Sequence, residues 1–329
     1  MSALAAVRRA VREFLATVEA PAEVCVAVSG GADSLALAEA TAYVARHRNL
    51  RTRALIVDHG LQSGSAEVAA QAAAAVKELG VDTAEILTVT VSGKGGPEAA
   101  ARTARYRALR EALPGGEGLV LLGHTLDDQA ETVLLGLGRG SGPRSLSGMR
   151  AHDAPWGRPL LGVTREQTRG ACAELGVEPW QDPHNADPRF TRVRLRAEVL
   201  PLLEDVLAGG VAAALARTAA QLRDDTEALD TVADRILTRA GGPEGLDVTV
   251  LEAEPAALRR RVLRRWLLGS GVRELTDAHL RAVDALVASW RGQGGVWLPG
   301  NLEASRCRGR LSLSRPEPTT PIPPTTRGD

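Results

Sequence analysis

The sequence predicts an α/β fold, in which a parallel sheet has helices on both faces and is followed by a smaller, mainly helical second domain. Three observations support this prediction. Short apolar, β-branched runs alternate with helical patterns through the first half of the chain, as in parallel sheets with crossover helices. A glycine-rich turn joins the first of these runs to a helix. Beyond about residue 205, long helical patterns replace the alternation.

The predicted elements follow one another in a regular order. After an entry helix over residues 4–18, strands are expected at 24–28, 53–58, 84–91 and 118–123. The helices between and after them are expected at 34–47, 65–79, 97–113 and 125–138. A helix over 164–176, a polar loop at 181–187 and an arginine-rich helix from Arg189 complete the first domain. In a Rossmann-like sheet of this kind, ligands bind at the carboxyl ends of the strands.

The second domain is expected to begin near residue 205, so that residues 1–204 form the first domain and residues 205–315 the second. Its helices are expected at 211–239, 255–268 and 276–289, with short strands between 294 and 314. Residues 316–329 are rich in proline and threonine, and we expect them to be disordered.

Composition excludes several classes of protein. No apolar run approaches the roughly 18 residues of a membrane span, so we expect no membrane partner. Cys25, Cys172 and Cys307 are isolated, which argues against a disulfide framework or a metal cluster and suits a reducing cytoplasm. The formal net charge of zero argues against a nucleic-acid partner. However, almost all of the 40 basic residues are arginine, which suits phosphate contacts or reflects a GC-rich genome.

Residues 29–34 read Ser-Gly-Gly-Ala-Asp-Ser and directly follow the first predicted strand. A strand, a tight glycine turn and a helix start bring backbone N–H groups together, which suits phosphate binding. A carboxylate beside phosphates repels them unless a cation lies between, so Asp33 is predicted to bind Mg²⁺. The predicted phosphate-binding residues are Ser29, Gly30, Gly31, Ala32, Asp33 and Ser34. The alternative is a glycine turn that only joins a strand to a helix.

This loop is not a Walker A motif, which needs Gly-Lys followed by Ser or Thr, four residues after another glycine. The two lysines, Lys77 and Lys94, do not stand in that context. The Ser-Gly-Gly-x-Asp-Ser form instead resembles the pyrophosphate loop of the N-type ATP pyrophosphatases. This resemblance implies that ATP is a substrate and is split between its α and β phosphates.

Two other predicted strands end in polar or glycine residues. Asp58 and His59 follow one strand, and Gly123 and His124 follow another. Because the carboxyl ends of parallel strands lie at one edge of the sheet, we expect these residues to meet the phosphate loop in one ATP-binding crevice.

Acidic residues crowd the start of the helix predicted over residues 125–138. His124, Asp128 and Glu131 have the spacing i, i+4 and i+7, which places them on one helix face, and Asp127 neighbours Glu131. This arrangement suits a metal, with Asp127 or Asp128 as a further Mg²⁺ ligand, or a cationic substrate. The alternative is ordinary capping and pairing with the helix dipole.

Several segments together resemble the tRNA(Ile)-lysidine synthetase family. The most specific are His-x-x-x-Asp-Gln-x-Glu-Thr at residues 124–132 and Arg-Gly-Ser-Gly at residues 139–142. The others lie at 57–61, 101–106, 146–149, 158–161 and 182–196. These motifs cover about residues 25–200, and the chain is similar to the shorter members, which have a single helical C-terminal domain. Residues 205–329 contain no identifying motif.

The resemblance implies a two-step reaction on the wobble cytidine of a tRNA(Ile) with the anticodon CAU. ATP adenylates the C2 carbonyl oxygen and releases pyrophosphate, and the ε-amine of L-lysine then attacks C2 and displaces AMP. The product, lysidine, changes the tRNA from methionine to isoleucine specificity. A homodimer is compatible with the family, and the sequence fixes neither the oligomeric state nor a general base.

The resemblance also implies roles for individual residues. Asp33 would hold Mg²⁺ against the phosphates, and His124 and Asp128 would contact the nucleotide and the activated intermediate. Glu131 is the candidate for binding the lysine ammonium group. Arg102 and Arg105, about one turn apart, suit phosphate or developing negative charge.

Two arginine clusters are candidates for phosphate contacts. Arg189, Arg192, Arg194 and Arg196 are expected in the active site or on the tRNA backbone. Arg259, Arg260, Arg261, Arg264 and Arg265 form a second cluster, where phosphate binding would give a salt-sensitive affinity for tRNA. For both clusters the alternative is a solvated helix face. Trp156 and Trp180 suit base stacking or a place in the core.

Other functions remain open on the sequence alone. A tRNA thiolase also uses the pyrophosphate loop, but known thiolases generally depend on paired or catalytic cysteines. An amide-forming ligase of the NAD or GMP synthetase kind would act on a small molecule without tRNA. A nucleotide-binding regulator without activity would not need Asp33, Asp128 and Glu131 together.

Overall fold

The structure is a computed structural model that describes residues 2–19, 21–60, 64–91, 96–140, 142–183 and 187–315. The chain forms two compact units, Met1–Leu222 and Arg223–Asp329. The division therefore lies later than the boundary expected near residue 205. It falls inside one continuous helix, so no change in composition marks it in the sequence. The tail expected to be disordered, residues 316–329, lies outside the described residues.

The first unit contains a six-stranded sheet. Its strands are β1 (Glu23–Val28), β2 (Arg51–Asp58), β3 (Thr83–Thr88), β4 (Val120–Leu121), β5 (His152–Asp153) and β6 (Trp156–Gly157). Their spatial order is β3-β2-β1-β4-β6-β5, and every pairing is parallel except that of β5 with β6. This topology confirms the predicted α/β class, although β3 and β4 are shorter than expected.

Helices connect and cover these strands. They are α1 (Ala3–Thr17), α2 (Ala32–Arg46), α3 (Ser65–Glu78), α4 (Pro97–Glu111), α5 (Leu126–Gly138), α6 (Pro143–Leu146), α7 (Arg165–Leu175), α8 (Thr191–Arg194) and α9 (Leu200–Val206). A 3₁₀ turn lies at Pro114–Gly116, and a π-helical turn at Leu195–Val199 joins α8 to α9. The arginine-rich helix thus begins two residues later than predicted.

The core lies on both faces of the sheet. Val24, Val26 and Ile56 point to one face, where they pack with residues of α1, α2, α3 and α7. Cys25 and Leu55, the intervening residues, point to the other face and pack with residues of α4 and its C-terminal turn. This alternation follows from the two-residue period of a strand. Both faces of the sheet are therefore covered by helices.

α2 is buried along most of its length, and its alanines allow close packing on all sides. Its one buried acidic residue in the middle, Glu39, is paired with Arg8 of α1, whose Nε donates to Oε1 at 3.1 Å. The helix begins at Ala32, directly after Gly30 and Gly31 of the glycine turn. Its packing therefore fixes the position of that turn against the sheet.

The second unit has its own core. After the long helix α10 (Val211–Ala240), which spans the division, its helices are α11 (Val248–Glu252), α12 (Ala256–Gly269) and α13 (Asp277–Ala288). Its strands are β7 (Gly241–Gly242), β8 (Gly245–Asp247), β9 (Val296–Leu298), β10 (Leu302–Cys307) and β11 (Arg310–Ser314). They form an antiparallel sheet in the order β7-β8-β11-β10-β9. The strands between residues 294 and 314 were expected, whereas β7 and β8 were not.

Among the described residues, no single helix has the length and apolar composition needed to cross a membrane. The consecutive segments Thr191–Val206 and Val211–Ala240, which are bent relative to one another, meet that criterion only when taken together.

Candidate active site

The phosphate loop, residues 29–34, connects β1 to α2 and is closed by Ser34. Ser34 Oγ donates to the carbonyl oxygen of Gly31 at 2.8 Å, and the Ser29 N–H donates to Ser34 Oγ at 3.2 Å. Gly30 has a φ of +82°, a conformation that a residue with a side chain rarely adopts. Gly31 is the N-cap of α2 and provides no capping side chain. The N–H groups of Ser34 and Leu35 donate to the carbonyl oxygen of Gly31, so those of Ala32 and Asp33 are available to an anion in front of the loop.

A cleft of about 1130 Å³ opens at the carboxyl ends of the strands, in front of this loop. The predicted site residues that line it are Ser29, Gly31, Ala32, Asp33, Ser34, Asp58, His59, Arg102, Arg105, Gly123, His124, Asp128 and Arg196. Gly30 does not line the cleft, and its carbonyl oxygen accepts the N–H of Trp180 at 3.0 Å. The predicted convergence of three strand ends on one crevice therefore occurs in the structure.

The acidic helix α5 begins with a reciprocal cap. Asp128 Oδ2 accepts the Thr125 N–H at 2.8 Å, and the Asp128 N–H donates to Thr125 Oγ1 at 3.4 Å. His124 precedes this N-cap, so the prediction that it lies on one helix face with Asp128 and Glu131 is wrong. Its place at the end of β4 nevertheless brings it to the cleft beside Asp128.

His124 is an uncharged imidazole at neutral pH. Burial lowers its pKa from 6.5 to about 4, even though the nearby carboxylate of Asp128 favours the charged form. Its Nδ1 is buried and accepts or donates no hydrogen bond within the described part of the chain. A buried polar atom of this kind in a cleft marks a position suited to a ligand.

Asp33 is the carboxylate of the phosphate loop that faces the cleft. Burial raises its pKa above the ordinary 3.8, although a hydrogen bond from Thr168 and the charge of Arg165 act in the opposite direction. Its side chain is 29% exposed, and its Oδ2 lies 3.7 Å from Arg165 Nε. Mg²⁺ often uses one or two carboxylates together with substrate phosphates and water, so Asp33 fits a Mg²⁺ ligand.

The other two candidate metal ligands are already engaged. Asp127 Oδ2 accepts the Arg165 N–H at 2.9 Å, and both oxygens of Asp128 have protein partners. In the described ranges, no three His, Cys, Asp or Glu side chains are grouped as in a protein-only metal site. Any Mg²⁺ here would therefore depend on Asp33 and on oxygens that the substrate supplies.

Glu131 is the centre of an arginine cluster. Its side chain is 0% exposed, and its Oε1 accepts from Arg165 Nη1 at 2.9 Å and from Arg196 Nε at 3.0 Å. Its Oε2 lies 3.4 Å from Arg192 Nη1. Three guanidinium groups thus surround a carboxylate that does not reach the cleft. The expectation that Glu131 binds the lysine ammonium group does not fit this geometry.

Arg165 and Thr168 were not predicted from the sequence. Arg165 begins α7 and contacts Asp33, Asp128 and Glu131, and Thr168, one turn later, contacts Asp33. Neither residue lies in a recognised motif. The available signal was indirect, because the crowded carboxylates of α5 require cations and Arg165 follows the N-cap Thr164 of a capping box.

Comparison with known proteins identifies the family. Residues 4–203 match the PP-loop domain, and residues 246–312 match the TilS substrate binding domain. Over 319 residues the chain is 59% identical to the tRNA(Ile)-lysidine synthase of Rhodococcus erythropolis, and the matched region covers 94% of this chain and 95% of that protein. The chain belongs to the tRNA(Ile)-lysidine synthase family. The resemblance expected from the motifs is thereby confirmed.

Other tRNA(Ile)-lysidine synthases match over nearly their whole length. Identity is 57% over 316 residues with that of Nocardia farcinica, covering 94% of this chain and 97% of the relative. Identity is 56% over 310 residues with the tRNA(Ile)-lysidine synthase of Mycobacterium tuberculosis, and the match covers 93% of this chain and 94% of the relative. The match thus includes the second unit, where the sequence alone offered no identifying motif.

A solved structure shares the fold of this lysidine synthase family member. It is the U34-tRNA thiolase NcsA of Methanococcus maripaludis with its [4Fe-4S] cluster, with a TM-score of 0.57 and 18% identity, covering 67% of this chain and 78% of that chain. At that identity the likeness shows the fold alone.

In the present chain Cys172 lines the cleft, and burial raises its pKa to about 11, so its thiol is protonated and weakly nucleophilic at neutral pH.

The first arginine cluster divides into residues inside and outside the site. Arg196 lines the cleft, and Arg192 lies behind it on Glu131. Arg194 pairs with Glu198 at 2.8 Å, and Arg189 pairs with Asp187 at 2.6 Å, both on the surface. The placement of Arg194 therefore differs from the predicted catalytic position, because it lies on the solvent side of its helix.

Within the region that matches the TilS substrate binding domain, the second cluster is largely paired with aspartates. Arg259 is buried, and its Nε lies 2.5 Å from Asp284 Oδ1, while Arg260 Nε lies 2.9 Å from Asp284 Oδ2. Arg259 is thus part of the core rather than a phosphate-binding surface. The remaining pairs join Arg261 to Asp230 and Arg265 to Asp230 and Asp234. In the described part of this unit, Arg264 is the member of the cluster without an ion pair.

Aromatic and basic groups of α4 and the end of β2 also line the cleft. Arg105 Nη2 lies 3.3 Å from His59 Nε2, and the Arg102 guanidinium lies 4.8 Å from the centre of the Tyr106 ring. Tyr106 packs edge-on against Trp156, which is buried, so Trp156 belongs to the core. Trp180, by contrast, lines the cleft.

Proposed function

We propose that this member of the family joins L-lysine to C2 of the wobble cytidine, position 34, of the tRNA(Ile) with anticodon CAU, in the cytoplasm. The observation that supports this most strongly is that a phosphate loop and the acidic start of α5 line one cleft, in a chain of this family. ATP and the activated nucleotide can therefore meet at the same place.

In the first step, the C2 oxygen of the cytidine attacks the α-phosphorus of ATP. An oxygen–phosphorus bond forms, the bond between the α-phosphorus and the bridging oxygen breaks, and pyrophosphate leaves. Backbone N–H groups at the start of α2 would bind the phosphates. Arg102 and Arg105 also line the cleft and would stabilise the charge of the leaving pyrophosphate.

Mg²⁺ would supply a positive charge that offsets the charge developing on the phosphates. Asp33 is the proposed ligand, because its carboxylate is partly exposed and faces the cleft beside the phosphate loop. Asp127 and Asp128 are not proposed as ligands, since their carboxylates are engaged by the starts of α5 and α7.

In the second step, the ε-ammonium group of bound lysine first loses a proton to solvent and becomes the nucleophilic amine. This amine attacks C2, AMP leaves with the C2 oxygen, and the attacking nitrogen loses a second proton. Asp128 lines the cleft, and its pKa is lowered: burial favours the protonated acid, but Arg165 and the Thr125 N–H outweigh it. Because Asp128 lines the cleft and Glu131 is fully buried, the lysine ammonium group is assigned to Asp128, whose two oxygens can each accept a hydrogen bond beyond those from Thr125 and Arg165. Arg196 would face the lysine carboxylate or the adenylate phosphate, and the neutral His124 would serve as a hydrogen-bond partner.

Contacts with tRNA are proposed in both units. Arg189 is exposed on the surface of the first unit. In the second unit we assign phosphate contact to Arg264 and to the partly exposed Arg260, and not to the buried Arg259. Such contacts would make the affinity for tRNA fall as salt concentration rises.

The test is AMP release from ATP with lysine and a tRNA(Ile) transcript that has the anticodon CAU, followed by mass analysis of the wobble nucleoside. We expect lysine-dependent AMP release and a nucleoside mass gain of lysine minus water. A methionine tRNA transcript with the same anticodon is the matched substrate control. AMP release without the lysine adduct would indicate that a nucleophile other than lysine reacts. Absence of tRNA-stimulated turnover would refute the proposed function.

Two variants test the assignment of Mg²⁺. Asp33→Asn should abolish pyrophosphate release while the protein remains folded, because a neutral amide is a poorer Mg²⁺ ligand but fills the same space. Asp127→Asn is the control, since its carboxylate binds a backbone N–H. Retained pyrophosphate release in Asp33→Asn would refute the role of Asp33 as a ligand.

A further inference from the structure

Arg165 contacts carboxylates from two different parts of the cleft. Its Nη1 donates to Glu131 Oε1 at 2.9 Å, and its Nη2 contacts Asp128 Oδ1, both on α5. Its Nε lies 3.7 Å from Oδ2 of Asp33 in the phosphate loop. The side chain is only 13% exposed. A single guanidinium group thus lies between the ATP-binding loop and the acidic helix.

Hydrogen bonds also fix the backbone around Arg165. The Arg165 N–H donates to Asp127 Oδ2 at 2.9 Å, which joins the starts of α5 and α7. Thr164 and Gln167 form a capping box that fixes the first turn of α7. One turn later Thr168 Oγ1 contacts Asp33 Oδ1. The position of the guanidinium group is therefore set from both ends.

We infer that Arg165 is a positioning residue that joins Asp33 of the phosphate loop to Asp128 and Glu131 of α5. Carboxylates that lie this close repel one another unless a cation stands between them. A planar guanidinium group can donate in several fixed directions, whereas a lysine ammonium is a point charge on a flexible stem. Arg165 thereby sets the separation between the phosphate loop, where ATP is proposed to bind, and the α5 carboxylate that is assigned to lysine. This inference rests on the proposed function in placing ATP at the loop.

The contacts of Arg165 are unequal. Its contacts with Glu131 through Nη1 and with Asp128 through Nη2 are hydrogen bonds, whereas the 3.7 Å separation from Asp33 is an ion pair without a hydrogen bond. Asp33 is also the most exposed of the three carboxylates. A cation can therefore reach Asp33 while Arg165 stays on α5, but the charge of Arg165 opposes it.

This geometry predicts opposite effects on binding and on turnover. In Arg165→Met, loss of the opposing charge should lower the Mg²⁺ concentration needed for half-maximal binding of α,β-methylene-ATP by roughly three- to tenfold. Misplacement of the α5 carboxylates should lower kcat by about 100-fold, without a rise in the KM for ATP. Replacing a residue that is needed only for folding would not lower the Mg²⁺ concentration for half-maximal binding.

Binding is measured by calorimetry over a series of Mg²⁺ concentrations, without tRNA or lysine. Arg169→Met is the matched control, because Arg169 is exposed and lines the same cleft one turn along α7. It removes the same charge without the three carboxylate contacts, and its Mg²⁺ midpoint should stay within about twofold of wild type. An unmoved midpoint in Arg165→Met, or an equal shift in Arg169→Met, would overturn the inference.

Arg165→Lys separates charge from geometry. Arg165→Lys keeps the positive charge, so the Mg²⁺ concentration for half-maximal binding should not fall. Because a single ammonium group cannot donate in the fixed directions of the guanidinium group, kcat should fall by at least about tenfold. Turnover equal to wild type would overturn the positioning role. Arg165→Met is expected to fold, because Glu131 retains Arg192 and Arg196 and Asp128 retains Thr125. If thermal unfolding shows that Arg165→Met does not fold, the turnover of Arg165→Lys alone decides whether Arg165 is a positioning residue.

The two proposals can fail separately. If the wild-type protein makes no lysidine, the proposed function fails, but the Mg²⁺ titration with α,β-methylene-ATP still tests Arg165. If lysidine forms normally and the Arg165 variants behave like wild type, only the positioning role is lost.

Discussion

Arg196 donates a hydrogen bond from Nε to Oε1 of Glu131 at 3.0 Å, and the carboxylate that accepts it is fully buried. Arg196 itself is one-third exposed and lines the cleft. Glu131 therefore acts from beneath the site by fixing the direction of a cleft arginine. The functional effect of this acid on the reaction should pass through its arginine partners.

Glu131→Gln should lower kcat by at least about tenfold and change the KM for lysine little, because the arginines lose their common anchor. The amide keeps the shape but loses the charge, so the free energy of unfolding should fall by about 1–3 kcal/mol. Steady-state kinetics with lysine as the varied substrate, together with urea unfolding, measures both effects. A selective rise in the lysine KM at unchanged kcat would instead indicate direct contact with lysine.

His124 should make stability depend on pH. Burial lowers its pKa in the folded protein to about 4, below the ordinary 6.5, so between these values the unfolded chain binds a proton that the folded protein does not. Stability should therefore fall as pH decreases from 6.5 to 4, by on the order of 3 kcal/mol in total. Urea unfolding of wild type and His124→Gln across this range isolates the effect. Parallel curves for the two proteins would contradict it.

Arg259 and Arg264, on the same helix, should have different roles. Arg259→Met removes one partner of the buried Asp284, which should lower the free energy of unfolding by about 3–5 kcal/mol. Arg264→Gln should leave stability within about 0.5 kcal/mol. It should reduce the slope of log affinity for tRNA against log salt by about one. An unchanged affinity and slope would remove Arg264 from the tRNA contacts.

Two glycines of α5 form a matched pair for testing packing against α6. A Cβ at Gly136 would lie 2.4 Å from the carbonyl oxygen of Ser145, whereas a Cβ at Gly138 would meet no atom within 4 Å. Gly136→Ala should therefore lower the free energy of unfolding by about 1–3 kcal/mol, because backbone must move. Gly138→Ala should raise it by up to about 1 kcal/mol. Urea unfolding of both variants tests the contact, and equal effects would argue against it.

The features that were predictable from the sequence depend on neighbouring residues. The phosphate loop is a continuous segment between a strand and a helix, so its residue types indicate both the turn and the phosphate site. The strand ends that hold Asp58 and His124 converge because parallel topology requires it. Neither feature depends on which side chains meet across the fold.

The features that were missed depend on long-range contacts. The spacing of Asp128 and Glu131 predicts that both lie on one functional face, but the packing of α7 and α8 buries Glu131 and leaves Asp128 at the cleft. The partners of Arg165 lie more than 30 residues away along the chain. No local pattern distinguishes such an arginine from one that is solvated.

The burial of α2 has a consequence for how the cleft responds to its ligand. A helix packed on all sides opens rarely, so the amides of α2 should be among the slowest in the chain to exchange their hydrogens with solvent. The phosphate loop is anchored to that rigid element, and Ser34 closes it through hydrogen bonds within the loop itself. Binding of ATP then requires little additional ordering of the loop, and more of the interaction energy is retained as affinity.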